Sequence, residues 1–81
     1  MPAITNTSKE LFEAYARDAI HWAGTPLVGG NVGGTKEERG NLTQLKEAGL
    51  IETFREEGDT WVAFTDKGRA YAATLGIVIQ E

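Results

Sequence analysis

Along the first part of the chain, apolar residues recur at three- and four-residue spacing: Leu11, Phe12, Tyr15, Ala16, Ala19, Ile20, Trp22 and Ala23. Lys9, Glu13, Arg17 and Asp18 fall mainly on the other side. That periodicity predicts an amphipathic helix with one face built for a core. Thr7 and Glu10 have the spacing of a capping box, so the helix is expected from Ser8 to about Ala23.

The pattern then breaks. Residues 24–34 hold five of the ten glycines together with Pro26, a density that interrupts both helix and regular strand. A loop is expected here, pinned to the core by Leu27, Val28 and Val32. Thr35 and Glu38 repeat the capping-box spacing and open a second helix with Leu42, Leu45 and Ala48 on one side and Gly49 as its stop. Gly40 lies inside it and either interrupts the helix, with Asn41 as a new cap, or is tolerated at a cost of about 1 kcal/mol relative to Ala.

Two extended segments follow, Leu50 to Arg55 and Thr60 to Thr65, joined through Glu56-Glu57-Gly58-Asp59 as a β-hairpin. Trp61 and Ala63 share one face of it and Val62 and Phe64 the other, so one pair must be covered from outside the sheet, by the C-terminal segment or a second subunit. Thr65 or Asp66 can cap a third helix with Ala70, Tyr71, Ala73 and Leu75 toward the core and Gly76 at its end. Ile77-Val78-Ile79 reads as a short final strand that joins the hairpin sheet or pairs between two chains.

The run Gly40-Asn-Leu-Thr-Gln-Leu-Lys-Glu-Ala-Gly-Leu-Ile51, then a polar hairpin, then Trp61-Val-Ala-Phe-Thr-Asp-Lys-Gly-Arg-Ala-Tyr71, resembles winged-helix transcription regulators of the MarR and PadR types. It covers residues 40–76, about half of the chain. The resemblance implies an α+β winged-helix domain over 1–81: helix, glycine-rich loop, recognition helix, two-stranded wing, helix and short terminal strand. It also implies a non-enzymatic DNA-binding regulator, with a homodimer expected where two half-sites are read. One departure is plain: the glycine-rich loop occupies most of the space where those families place a helix before the recognition helix.

On a helix over 35–49 with Leu42, Leu45 and Ala48 buried, Lys36, Arg39, Gly40, Thr43 and Glu47 fall on the outer face, flanked by Gln44 and Lys46. Arg39 suits guanine, Asn41 or Gln44 suits adenine, and Lys36 and Lys46, with Arg55 on the hairpin, suit phosphates. The charge balance pulls the other way. The 81 residues carry a net charge of −4, and the hairpin tip sets Glu56, Glu57 and Asp59 against Arg55 alone. Such a tip repels phosphate, so a basic protein partner is the alternative occupant.

Other chemistry is thinly supported. Gly29-Gly-Asn-Val-Gly-Gly-Thr-Lys36 suggests a phosphate-binding loop, but Thr precedes Lys and no hydrophobic strand feeds it. His21 has no second His or Cys for a transition-metal site, so it reads as a terminus or packing residue. The pairs Glu37-Glu38 and Glu56-Glu57 cannot face one another for acid–base work. No cofactor or metal is expected. With no cysteine, no apolar run near the roughly 20 residues of a bilayer span and no signal-like start, a cytoplasmic protein without membrane contact is expected.

Overall fold

The computed structural model describes residues 4–29 and 36–79, without the side chains of 36–38. The expected Thr35–Glu38 capping box, Val32 and the Lys36 side chain therefore lie outside the described residues. Helix α1 spans Asn6–Asp18 and is capped by Thr5 rather than Thr7. Thr5-x-x-Ser8 has the same spacing as Thr7-x-x-Glu10. Thr5 is extended, with φ −73° and ψ 164°, and its Oγ1 accepts the Ser8 N–H at 3.2 Å. Thr7 is already helical.

Leu11, Phe12, Tyr15, Ala16 and Ala19 are buried as the periodicity requires. The helix does not continue to Ala23, however. A single 3-10 turn covers Ala19–His21, and Ala23 and Gly24 then take positive φ of 54° and 91°. The tighter winding carries Ile20 off the core stripe, leaving it 62% exposed. Asp18, expected on the outer side, is buried and accepts the Trp22 indole N–H at 2.8 Å.

The glycine-rich segment is more ordered than a loop where it is described. Leu27 bridges Trp61 in antiparallel fashion, with Val28 N–H on the Thr60 carbonyl at 2.9 Å and Val62 N–H on the Pro26 carbonyl at 2.8 Å. Helix α2 then spans Lys36–Glu47 without a break at Gly40. It ends in a Schellman motif: Gly49, at φ +78°, donates to the Lys46 carbonyl at 3.0 Å and Leu50 to that of Leu45 at 3.1 Å. Leu45 and Leu50 are both buried, which is the apolar contact that accompanies this cap.

Strands β1 (Ile51–Glu56) and β2 (Asp59–Phe64) form the hairpin, one residue displaced from the expected bounds. Thr65 leaves the strand because its hydroxyl caps α3 (Asp66–Thr74), accepting the Gly68 N–H at 2.9 Å. The core face of α3 is Gly68, Tyr71, Ala72 and Leu75, whereas Ala70 and Ala73 are exposed. Contact between Gly68 and the Leu50 backbone sets that rotation. A second Schellman motif at Gly76 turns the chain so that Ile77 donates to Ala72 at 2.9 Å. Ile77 is buried and Val78 is 75% exposed, and residues 77–79 form no strand. The carbonyl and hydrogen-bond demands of a helix end outweigh the β-propensity of three residues.

Phe12 joins the layers. Its ring lies 5.8 Å from that of Phe64 in an edge-to-face arrangement and 5.2 Å from that of Tyr71. Thus α1, β2 and α3 share one core, against which Leu45 and Val62 are fully buried. No helix among the described residues is long and apolar enough to cross a membrane.

Candidate functional site

Burying Leu45 and Ala48 turns the opposite side of α2 outward, and Arg39, Gly40, Thr43, Lys46 and Glu47 are all exposed there. Three of the residues expected to meet DNA, Arg39, Thr43 and Lys46, therefore lie on one accessible stripe. The Thr43 hydroxyl is turned back onto the Arg39 carbonyl at 3.1 Å. Arg39 also walls a groove of about 560 Å³ between α2 and the hairpin, facing Asp59 and Thr60.

Asn41 and Gln44 are placed differently. Asn41 Oδ1 accepts from the Thr7 hydroxyl at 3.3 Å and from the buried Ser8 hydroxyl at 3.2 Å. Gln44 Oε1 accepts the Thr5 N–H at 2.7 Å. Both are half-buried on the flank of α2 that packs on α1, and both tie down the α1 N-terminus. Asn41 Oδ1 and Gln44 Oε1 each already accept from the start of α1, and a bidentate contact with adenine uses that same oxygen. Periodicity alone cannot show this, because these residues sit at the border of the apolar stripe and only the packing angle of α1 decides their side.

The hairpin register fixes which residues share a face. Glu52 opposes Ala63, Phe54 opposes Trp61 and Glu56 opposes Asp59, while Ile51, Thr53 and Arg55 oppose Phe64, Val62 and Thr60. The second set contains the buried Ile51, Val62 and Phe64, so Arg55 is on the core-side face, exposed near its far end. The first set faces outward. The acidic residues Glu56 and Asp59 are therefore on the opposite face from Arg55, with Glu57 and Gly58 forming the two-residue turn between them.

That outer face is partly covered by an element the hairpin pattern did not identify. Trp22, delivered by the turn after α1, meets Trp61 edge-on with ring centroids 5.7 Å apart. The Trp61 indole donates to the Glu56 carbonyl at 3.2 Å. The sequence pointed to the C-terminal segment or a second subunit as the cover, whereas Trp22 meets Trp61, and it missed that Phe54 stands directly across from Trp61; reading Glu57-Gly58 as a two-residue turn would have shown that pairing. His21 is exposed, and no group of three His, Cys, Asp or Glu among the described residues is placed to hold a metal ion. Compared with family models, curated proteins and solved structures, the chain matches none of them.

Proposed function

We propose that the chain is a small, non-enzymatic winged-helix module that grips double-stranded DNA through the outer face of α2, as a transcriptional regulator. The observation that carries this reading is the Arg39–Thr43–Lys46 stripe, left exposed opposite the buried Leu45–Ala48 seam. Arg55 adds a cation on the core-side face of the hairpin, away from Glu56 and Asp59. The succession of α2, a Gly49 turn, a two-stranded hairpin and a Thr65-capped helix supports the winged-helix assignment.

Three cations imply about three phosphate contacts, hence a slope near −2.7 for log affinity against log salt. Anisotropy titration of a labelled mixed-sequence duplex at two salt concentrations tests this. Arg39→Glu abolishes binding, and changing Glu56 and Glu57 to Gln tightens it by removing repulsion. Absence of duplex binding by the wild type at low salt overturns the reading. Two half-sites call for a homodimer, and a strictly monomeric sedimentation mass at high micromolar concentration removes that element.

A second reading is favoured by the outward carboxylates of the hairpin: a basic protein partner docks on the face turned away from Arg55. The two occupants use different surfaces, so the readings are separable by mutation.

A further inference from the structure

Trp22, Phe54 and Trp61 surround a cleft of about 350 Å³ whose remaining lining is Thr25, Glu56 and Glu57. We propose that this cleft is an aromatic cage that receives one cationic side chain, lysine or arginine, from a basic protein segment; the proposal rests on the second reading above and gives it a site.

Aromatic faces attract a cation through the ring quadrupole, and the attraction strengthens when carboxylates stand beside the rings. Both conditions meet here, and no basic side chain lines the cleft. The volume lies at the lower end of the range of ligand pockets and suits one side chain rather than a whole peptide. The rings are also held in place before any ligand arrives. Trp22 donates its indole N–H to Asp18, and Trp61 donates its own to the Glu56 carbonyl. These bonds fix both indoles, so little ordering remains for the bound state.

Phe54 has no such tether and is 38% exposed, a large apolar side chain open on the outer face beside Trp61.

The hairpin tip breaks two local rules in supplying the carboxylates. Glu56 and Asp59 stand directly opposite each other, a like-charge pair that weakens a sheet. Glu57 occupies the first position of the turn at φ 54°, followed by Gly58 at φ 83°. Positive φ at both places is the type I′ pattern, which favours Asn, Asp or Gly rather than Glu at the first. Sequences depart from local consistency chiefly at functional sites. A cation seated beside the rings, Glu56 and Glu57 offsets part of the negative charge gathered at the tip.

The two tryptophans of the chain both line the cleft, so their fluorescence reports occupancy directly. The test titrates the wild type at low salt with a short lysine-rich peptide, an arginine-rich one, and a copy in which norleucine replaces lysine. Saturable fluorescence change with either cationic peptide and none with the neutral copy is the expected result. Phe54→Leu, which keeps an apolar side chain but loses the ring, weakens binding about two- to fivefold with unchanged melting temperature. Changing Glu56 and Glu57 to Gln weakens it further. Equal binding of the norleucine peptide, or no fluorescence change with any peptide, overturns the proposal. If Phe54→Leu binds as the wild type while the Gln changes still weaken capture, the cage fails and the acidic docking surface survives.

Discussion

Gly68 lies against Leu50 so closely that a Cβ on it would overlap the Leu50 carbonyl oxygen and sit 2.9 Å from the carbonyl carbon. The same carbonyl accepts the Thr65 N–H at 3.2 Å, and the Thr65 hydroxyl is 2.6 Å from the Gly49 carbonyl. Lys67 Nζ donates to the Ala48 carbonyl at 2.9 Å. The segment Thr-Asp-Lys-Gly is therefore a clasp on the end of α2, which explains why it follows Ala-Gly-Leu-Ile at this separation.

Gly68→Ala forces either the start of α3 or the Ala48–Leu50 turn to move, because both sides of the clash are backbone. A loss of about 3 kcal/mol or more is expected in chemical denaturation, at the upper end of overpacking costs. Gly40 provides the opposite case within the same chain. A Cβ there meets nothing within 4 Å, and the residue is mid-helix, so Gly40→Ala should add about 0.5–1 kcal/mol. Equal effects of the two substitutions would refute the account of α3 docking.

Leu45 is fully buried at the centre of the α2 seam, and its carbonyl anchors the Schellman turn. Leu45→Ala should cost about 2–5 kcal/mol on the core-truncation scale. An unchanged melting temperature would show that α2 is not seated as described.

Asn41 distinguishes a structural amide from a base-reading one. Asn41→Ala leaves the buried Ser8 hydroxyl without its acceptor, for which about 1–3 kcal/mol of stability should be lost. Double substitution with Ser8→Ala should recover part of that loss. A variant as stable as the wild type but defective in duplex binding would instead support a base-reading role for Asn41.

At the hairpin tip, stability and capture should move in opposite directions. Glu57→Asn relieves the left-handed backbone cost, and Asp59→Thr removes the like-charge pair with Glu56. Each should raise stability by roughly 0.5–1 kcal/mol, read by thermal melting. Glu57→Asn should at the same time lower the affinity for cationic peptide, since Glu57 lines the cleft.

What the sequence made legible was whatever short-range rules control: the apolar stripe of α1 up to Ala19, the Leu45–Ala48 seam, the two glycine stops and the hairpin with its tip. The α1 start was ambiguous because Thr5 and Thr7 each have a polar partner three residues on. Leu27 and Val28 gave no strand signal, since two residues between a proline and a glycine become extended only by pairing with distant Thr60–Val62. The inward turn of Asn41 and Gln44, and the meeting of Trp22 with Trp61, depend on how α1 crosses the other elements. No local pattern encodes that crossing. The outer stripe of α2, in contrast, follows from helical geometry once the buried side is known.

The bridge from Leu27 to Trp61 covers part of the outer edge of β2, and β1 is the open margin of the two-stranded sheet among the described residues. That margin carries Glu52, Arg55 and Glu56 within six residues, and a second copy approaching edge to edge would bring like charges together or strand them unsolvated. The edge-to-edge stacking that starts cross-β assembly is thereby discouraged at the one margin this small sheet leaves open.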